Sequence, residues 1–492
     1  MINIKFVMRH FFLSLLTLAV PVTASASELP EVEKFLAEPP EAKLTIDSPP
    51  RCNGFAVSSV NDLQAYALRN NLELSARRST SLSAQDSKTS SYLALVPSLT
   101  LSAGFSRYPE SYTSTAQSTK QFTDIGKTNY IFQQSYDFTA YEQASLNVGT
   151  TWNILVPGVY TNIRQKSHLY DSTQYDVEAL ESSIIRQVRT SSLDVISSLE
   201  SIKSNNQSYI TSQEILRGVQ SQFDLGFLSQ VELLRQKSQV AQFRVQLLNS
   251  ITRFNNSLNR LNLLINNTTS DCKIYATDTL EVLQGYLPVV SATADELSAL
   301  ALDVRPDLKM IESRISAQHA SLDGIKASYL PQTTLSAGYN YSNTNSLNYY
   351  SNTYSSNINS ESFSNDFTLM LSTSMTFDGG QGIANASALR HDIESLDTQL
   401  ANARSRIVSN ISTYRTDLNY YQQQSEILRD KLGYSNETLN AINIRFNFGY
   451  SAITDLLDAQ RVLSNTNLEL IQNLNREATS IALLLFEISS KP

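Results

Sequence analysis

Pro97-Ser98-Leu99-Thr100-Leu101-Ser102-Ala103-Gly104-Phe105 returns later in the chain as Pro331-Gln332-Thr333-Thr334-Leu335-Ser336-Ala337-Gly338-Tyr339. After each proline, apolar side chains alternate with small polar ones, the period-two pattern of a strand with one apolar face. The matches continue outward in the same order. Upstream, Asn71-Leu72-Glu73-Leu74 aligns with Arg305-Pro306-Asp307-Leu308; downstream, Phe223-Asp224-Leu225-Gly226-Phe227 aligns with Phe446-Asn447-Phe448-Gly449-Tyr450, and Leu233-Leu234 with Leu456-Leu457. Such an ordered series is the signature of an internal repeat, here with a unit far longer than the roughly 20–50 residues of a solenoid. The expected organisation is a first structural repeat over 58–268 and a second over 292–492. An inter-repeat linker (269–291) joins them, and an N-terminal extended segment (27–57) precedes them.

Each copy reads helix, strand, strand, helix, helix. Residues 58–94 carry apolar positions at helical spacing, as do Leu308, Ile311, Ile315, Leu322 and Ile325 in the second copy. Strands are expected at about 98–107, 145–155, 332–341 and 366–377, the second and fourth alternating at Leu146, Val148, Thr150, Trp152, Ile154 and at Phe367, Leu369, Leu371, Thr373, Met375, Phe377. Between them, 108–144 and 342–365 are rich in Ser, Thr, Asn and Tyr and read as exposed loops. Pro157-Gly158 and Asp378-Gly379-Gly380 turn the chain into the next helix. Residues 159–222 contain no proline and only Gly218, so as one helix they span about 95 Å at 1.5 Å per residue. Residues 383–432 behave likewise, and Leu456, Leu463 and Leu470 recur at heptad spacing.

Amphipathic strands of this length fit the ~9–11 residues of an outer-membrane barrel strand. An open sheet edge in lipid leaves backbone groups unpaired at several kcal/mol each, and four strands do not close on themselves, since the smallest barrels use about eight. Several chains must therefore contribute to one barrel. Phe105, Trp152, Tyr339, Tyr341, Phe367 and Phe377 are expected to supply interfacial aromatic girdles.

Composition excludes other classes. The 492 residues hold 38 basic and 46 acidic side chains, a net charge of −8 that offers no basic face for nucleic acid. Four His and two Cys are too few for a zinc module or an iron–sulfur protein, and His168, His319 and His391 lack ligand spacing. Gly379-Gly380-Gln381-Gly382 lacks the lysine and the βαβ setting of a phosphate loop. No catalytic arrangement is expected, so the protein is read as no enzyme and needs no cofactor.

Residues 1–26 read as a signal peptide, with Lys5 and Arg9 before the apolar Phe11–Val20 and an Ala24-Ser25-Ala26 cleavage site. Nothing beyond contains an apolar run long enough for a spanning helix. In an oxidising compartment, Cys52 and Cys272 become a candidate disulfide.

These features converge on a family. The duplicated Pro-x-x-x-Leu-Ser-Ala-Gly motif, Phe377-Asp378-Gly379-Gly380, and above all Arg445-Phe446-Asn447-Phe448-Gly449-Tyr450-Ser451-Ala452-Ile453-Thr454-Asp455-Leu456-Leu457-Asp458-Ala459-Gln460 resemble the TolC family of outer-membrane efflux and type I secretion channels. The likeness covers essentially the whole mature chain. It implies an α+β membrane protein: a homotrimer giving a twelve-stranded β-barrel, four strands per chain, continued by an α-helical coiled-coil tunnel. It also implies outer-membrane lipid around the barrel, a periplasmic adaptor protein, and an inner-membrane pump or ABC secretion ATPase as partners.

By position, the resemblance makes Gly226, Phe227, Leu228 and Ser229, with Gly449, Tyr450, Ser451 and Ala452, the adaptor-docking tip. Each glycine suits a tight helix–helix turn at positive φ. Asp455 and Asp458, three residues apart on one helix face, match the family's entrance aspartates; in a trimer each forms a ring of three carboxylates, a cation-selective gate. Glu232 takes the place of Asp455 in the first copy, and Arg235 that of Asp458. The best-known member of the family closes its entrance with an aromatic residue and an arginine. Those positions hold Phe446 and Ser451 here, so a closed state needs another latch, for which Arg445 is the candidate. The alternative from another class is a secreted or surface trimeric coiled-coil structural or adhesive protein.

Overall fold

The computed structural model describes residues 54–108, 112–117, 133–138, 141–267, 272–276, 293–346, 349–351 and 360–488. The expected signal peptide and Cys52 lie outside them. In chain order the elements are β1 (Gly54–Ser58), α1 (Val60–Asn70), α2 (Leu72–Leu93), β2 (Ser98–Tyr108), β3 (Tyr112–Gln117), β4 (Gln133–Phe138), β5 (Tyr141–Leu155), α3 (Pro157–Asp224) and α4 (Gln230–Leu264). There follow β6 (Cys272–Ala276), α5 (Ala294–Val304), α6 (Pro306–Ser328), β7 (Gln332–Ser346), β8 (Tyr349–Ser351), β9 (Ser360–Ser374), α7 (Gln381–Asn447) and α8 (Ile453–Ile488).

The helix expected over 58–94 is two helices, divided at Asn71. This residue caps both: its side chain accepts from Leu74 N (3.0 Å) and donates to the Leu264 carbonyl (3.3 Å), tying the break to the end of α4. The long segments are single helices of 68 residues (α3) and 67 residues (α7). Pro157 opens α3 at a position where a missing N–H costs nothing.

β2, β5, β7 and β9 form one four-stranded antiparallel sheet in that order. The register aligns rows across it. Leu101, Val148, Tyr339 and Phe367 make one row, and Leu99, Thr150, Ala337 and Leu369 the next. The opposite face carries Thr100, Gly149, Gly338 and Thr368 in one row and Ser102, Asn147, Asn340 and Asp366 in another. The sheet thus has an apolar face and a small-polar face, and Leu99, Leu101, Phe105, Phe367, Leu369 and Leu371 stand exposed on the first. Among the described residues, β2 and β9 are its unpaired edges.

Three sequence expectations change. β5, β7 and β9 each run 15 residues, and β3, β4 and β8 pair as a second sheet, so much of the stretches read as loops is strand. Strands leaving an apolar layer have two polar faces and lose the alternation that identifies them. Phe377 lies beyond the end of β9, and Tyr339 and Phe367 sit in a row within the apolar face, while Trp152, whose Nε1 donates to the Leu95 carbonyl at 3.0 Å, marks one end. The linker read at 269–291 contains β6, which pairs in parallel with β1, Gly54 opposite Cys272.

α3 packs on α2, α4, α6 and α8, and α7 on α6 and α8. One apolar cluster joins Leu63, Leu193, Ile202, Phe254 and Ile274 beside the parallel pair. A second, around Leu308, Ile411, Leu418 and Leu484, holds α5 to α8 together. Beside it, buried Arg305 bonds Glu487 and Asp307, Asn410 donates to Glu487, and Arg186 and Arg305 both lie over the Phe486 ring. A third cluster lies at the far end, where α3 meets α4 and α7 meets α8.

Candidate functional site

Both helix turns at that far end are built alike. In the first, Gly226 has φ +82°; its N–H donates to the Phe223 carbonyl (2.9 Å) and that of Phe227 to Gln222 (2.9 Å). In the second, Gly449 has φ +78°, with Gly449 N–H on Phe446 (2.9 Å) and Tyr450 N–H on Arg445 (2.8 Å). These are two Schellman motifs, which satisfy the last carbonyls of α3 and α7 and require the left-handed conformation glycine adopts without strain.

The next helices start differently. Ser229 caps α4, its hydroxyl accepting from Glu232 N–H, while the Glu232 carboxylate accepts from Ser229 N–H (2.7 Å) and Oγ (2.9 Å). This capping box holds the Glu232 carboxyl below the usual glutamate range, chiefly through the backbone bond. At the head of α8, Ala452 has no capping side chain. Asp455 Oδ2 accepts from Ala452 N–H (3.3 Å) and Ser451 Oγ (3.0 Å) instead. Asp455 and Glu232 are therefore the same local device at equivalent positions.

Asp455 and Asp458 are both exposed, and together they line an open groove of about 780 Å³ between α7 and α8 with Ile427, Asp430, Tyr434 and Val462. Asp458 pairs with Arg461 at 3.0 Å. Phe446 is buried in the third cluster against residues such as Leu233, Ile453 and Leu456, whereas Arg445 is exposed and in no salt bridge among the described residues. Leu228 is half-buried under the turn. Phe227 and Tyr450 are 78% and 77% exposed, and Leu225 (69%) and Phe448 (73%), absent from the sequence-based set, stand out just as far. Their signal was present: in both copies a large apolar residue directly precedes the glycine. No group of metal-ligating side chains exists among the described residues, and no described helix is long and apolar enough to cross a membrane.

The sequence profile described as outer membrane efflux protein matches residues 64–267 and 297–485. The chain belongs to the outer membrane efflux protein family. Solved structures agree in fold. CusC is 14% identical with a TM-score of 0.69, covering 88% of this chain and 92% of its own. CmeC of Campylobacter jejuni, an outer-membrane channel, is 15% identical with a TM-score of 0.65 over 88% and 85%. The open state of MtrE of Neisseria gonorrhoeae is 15% identical with a TM-score of 0.62 over 87% and 88%. No curated protein sequence matches. As an outer membrane efflux protein, the chain resides in the outer membrane and extends into the periplasm, and the adhesive reading gives way to a channel.

Proposed function

We propose that three copies of this chain form a passive exit duct, the outer-membrane component of a tripartite efflux or type I secretion system. The observation that carries this is the four-stranded sheet with one apolar face and unpaired edges at β2 and β9. In lipid those edges need partners. β2 and β9 run antiparallel within the sheet's alternation, so β9 of one copy meets β2 of the next in the same antiparallel sense and a ring closes without a parallel junction. Twelve strands around a polar-lined bore result, and the recurrence of helix, strand pair and long helix in each half of the chain supports descent by duplication. The duct does no chemistry; energy comes from an inner-membrane pump or ABC secretion ATPase through a periplasmic adaptor. The paired turns, with Leu225, Phe227, Phe448 and Tyr450 exposed, present that adaptor with an apolar tip.

Asp455 and Asp458 serve as the entrance selectivity gate. Replacing both by Asn keeps an acceptor at the head of α8 and removes the charge, and cation selectivity is expected to fall. Detergent extraction, native sizing and single-channel recording test the whole reading: a trimer that conducts is expected, and a single subunit released in a periplasmic wash without detergent overturns it. Cys52 and Cys272 are proposed as a disulfide, supported by the β1–β6 register that sets Gly54 against Cys272. Two titratable thiols in the unreduced native protein would end that assignment.

A further inference from the structure

A polar cavity of about 470 Å³ opens between α3 and α4 and reaches Leu468 and Gln472 of α8. Serine hydroxyls and side-chain amides line most of it, and two features point to a ligand. The first is a pair of buried acceptors without a donor. Asn205 is 4% exposed, and its Oδ1 meets no hydrogen-bond donor; Oε1 of Gln246, on the facing wall, is in the same condition. Such atoms cost stability unless a hydroxyl or N–H reaches them. The second is uncompensated positive charge. Arg253 and Arg260, seven residues apart on one face of α4, are exposed and form no salt bridge among the described residues. The cavity's one carboxylate, Asp194, already accepts from Asn475 Nδ2 at 3.2 Å. Its charge is thus the reverse of the aspartate-lined groove at the tip.

The helical wall fixes which way the cavity opens. β6 sits on α4 at Asn262, whose Nδ2 donates to the Ile274 carbonyl (3.1 Å), and at Asn259, which accepts from Lys273 Nζ (3.0 Å). At 3.6 residues per turn, Arg253 and Arg260 project roughly 140° away from that contact. On α3, Arg189 and Leu193 lie beside Val60 of α1, and Ser198 and Asn205 project roughly 150° from them. The β1–β6 pair and α1 therefore cover one side of the wall and the cavity opens on the other. In a ring of copies that added bulk has to stand outside, since inside it would fill the duct, and the cavity then faces the bore.

We propose that this cavity is a cargo-binding station that takes polyhydroxylated anions, of the class of acidic saccharides. Carboxylates of the cargo pair with Arg253 and Arg260, its hydroxyls donate to Asn205 Oδ1 and Gln246 Oε1, and the serines bond the remaining oxygens. The volume is that of a small-molecule site, ~300–1,000 Å³. The arginines stand about 10.5 Å apart along α4, so they engage two anionic groups of one chain rather than clasping a single group. The proposal rests on the duct reading and adds a class of cargo to it. Open walls and exposed arginines suit a station that must release what it binds for passage to continue.

Single-channel recording of the trimer, purified in a polyoxyethylene detergent, tests it with digalacturonate as the probe. Brief, concentration-dependent blockades of the current are expected. Maltose, hydroxylated but uncharged, and inorganic phosphate, charged but without ring hydroxyls, are each expected to block at about tenfold higher concentration or more. Arg253→Gln with Arg260→Gln should raise the blocking concentration of digalacturonate about tenfold or more, with the trimer retained on native sizing because neither arginine holds another residue. Asn205→Ala should weaken the digalacturonate block and leave that of phosphate unchanged. Conducting channels that digalacturonate does not block, or blocks equally in wild type and the glutamine pair, or that maltose or phosphate blocks as strongly, overturn the site and leave the duct intact. A chain that neither forms a trimer nor conducts overturns the duct, and the placement of the site with it.

Discussion

Alanine at Gly226 or Gly449 must hold φ near +80°, a cost of roughly 1–2 kcal/mol for a residue with a Cβ. The same substitution at Gly218 or Gly433, inside α3 and α7 with open space where the Cβ would stand, is expected to stabilise by about 0.5–1 kcal/mol. Thermal unfolding of the four variants should split them by sign; a uniform response would contradict the turn geometry. Glu232 adds a pH dependence. Its folded-state pKa lies below the unfolded value, so the capping box contributes fully above the unfolded range and loses its contribution as pH falls through the depressed folded value. That window opens near the ordinary glutamate value of about 4.3 and extends below it. Acidification should loosen the first turn of α4, seen in amide exchange, and Glu232→Gln, which still accepts at this position, should remove the dependence. Sequence reading reached the turn glycines, because positive φ leaves few choices. It did not reach the capping role of Asp455: Ser229-x-x-Glu232 displays the box openly, whereas Ala452 removes half of the signature.

At the scale of elements, the joints carry the most specific chemistry. Between β9 and α7, Asp378 accepts from Gly380 N–H (3.1 Å), Gly382 N–H (2.7 Å) and the Tyr329 hydroxyl (2.8 Å). Those bonds hold the Asp378 carboxyl low, and the Asp378 carboxylate raises Tyr329. A Cβ at Gly382 would collide with the Tyr329 ring, so Gly382→Ala should displace the tyrosine and free the start of α7, readable as faster exchange there. At the opposite end of α8, Glu487→Ala leaves buried Arg305 with Asp307 as its remaining carboxylate and Asn410 without its acceptor, and is expected to cost about 1–3 kcal/mol. A loss under 1 kcal/mol in denaturant unfolding would show the pair to be peripheral. Long helices and the apolar parts of strands were legible because their periods run on for many residues. The α1–α2 break was not, since one asparagine within a helical pattern carries no periodic mark. Nor was the β1–β6 pair, whose five-residue strands are distant in the chain and parallel.

At the scale of the whole molecule, the proposed ring of three copies needs the edge strands β2 and β9 to pair between chains. A single proline at Leu101, replacing a donor within edge strand β2, should therefore damage assembly more than helix content: native sizing is expected to lose the trimer while circular dichroism stays near wild type. Equal loss of both would contradict the edge assignment. The exposure of the stripe from Val231 to Leu248 on α4 was beyond sequence reading, because such a stripe looks like ordinary core until the fold leaves it uncovered.

In the proposed twelve-stranded barrel the row Thr100, Gly149, Gly338, Thr368 faces the bore, and it bears on how such a conduit could be redesigned. Its side chains are so short that backbone spacing, not residue choice, fixes the calibre there. Gly149 and Gly338 amount to an unused diaphragm: bulk added at either, where a Cβ first meets only a threonine hydroxyl at 3.1–3.2 Å, would throttle passage by size while the ladder of strand bonds stayed whole.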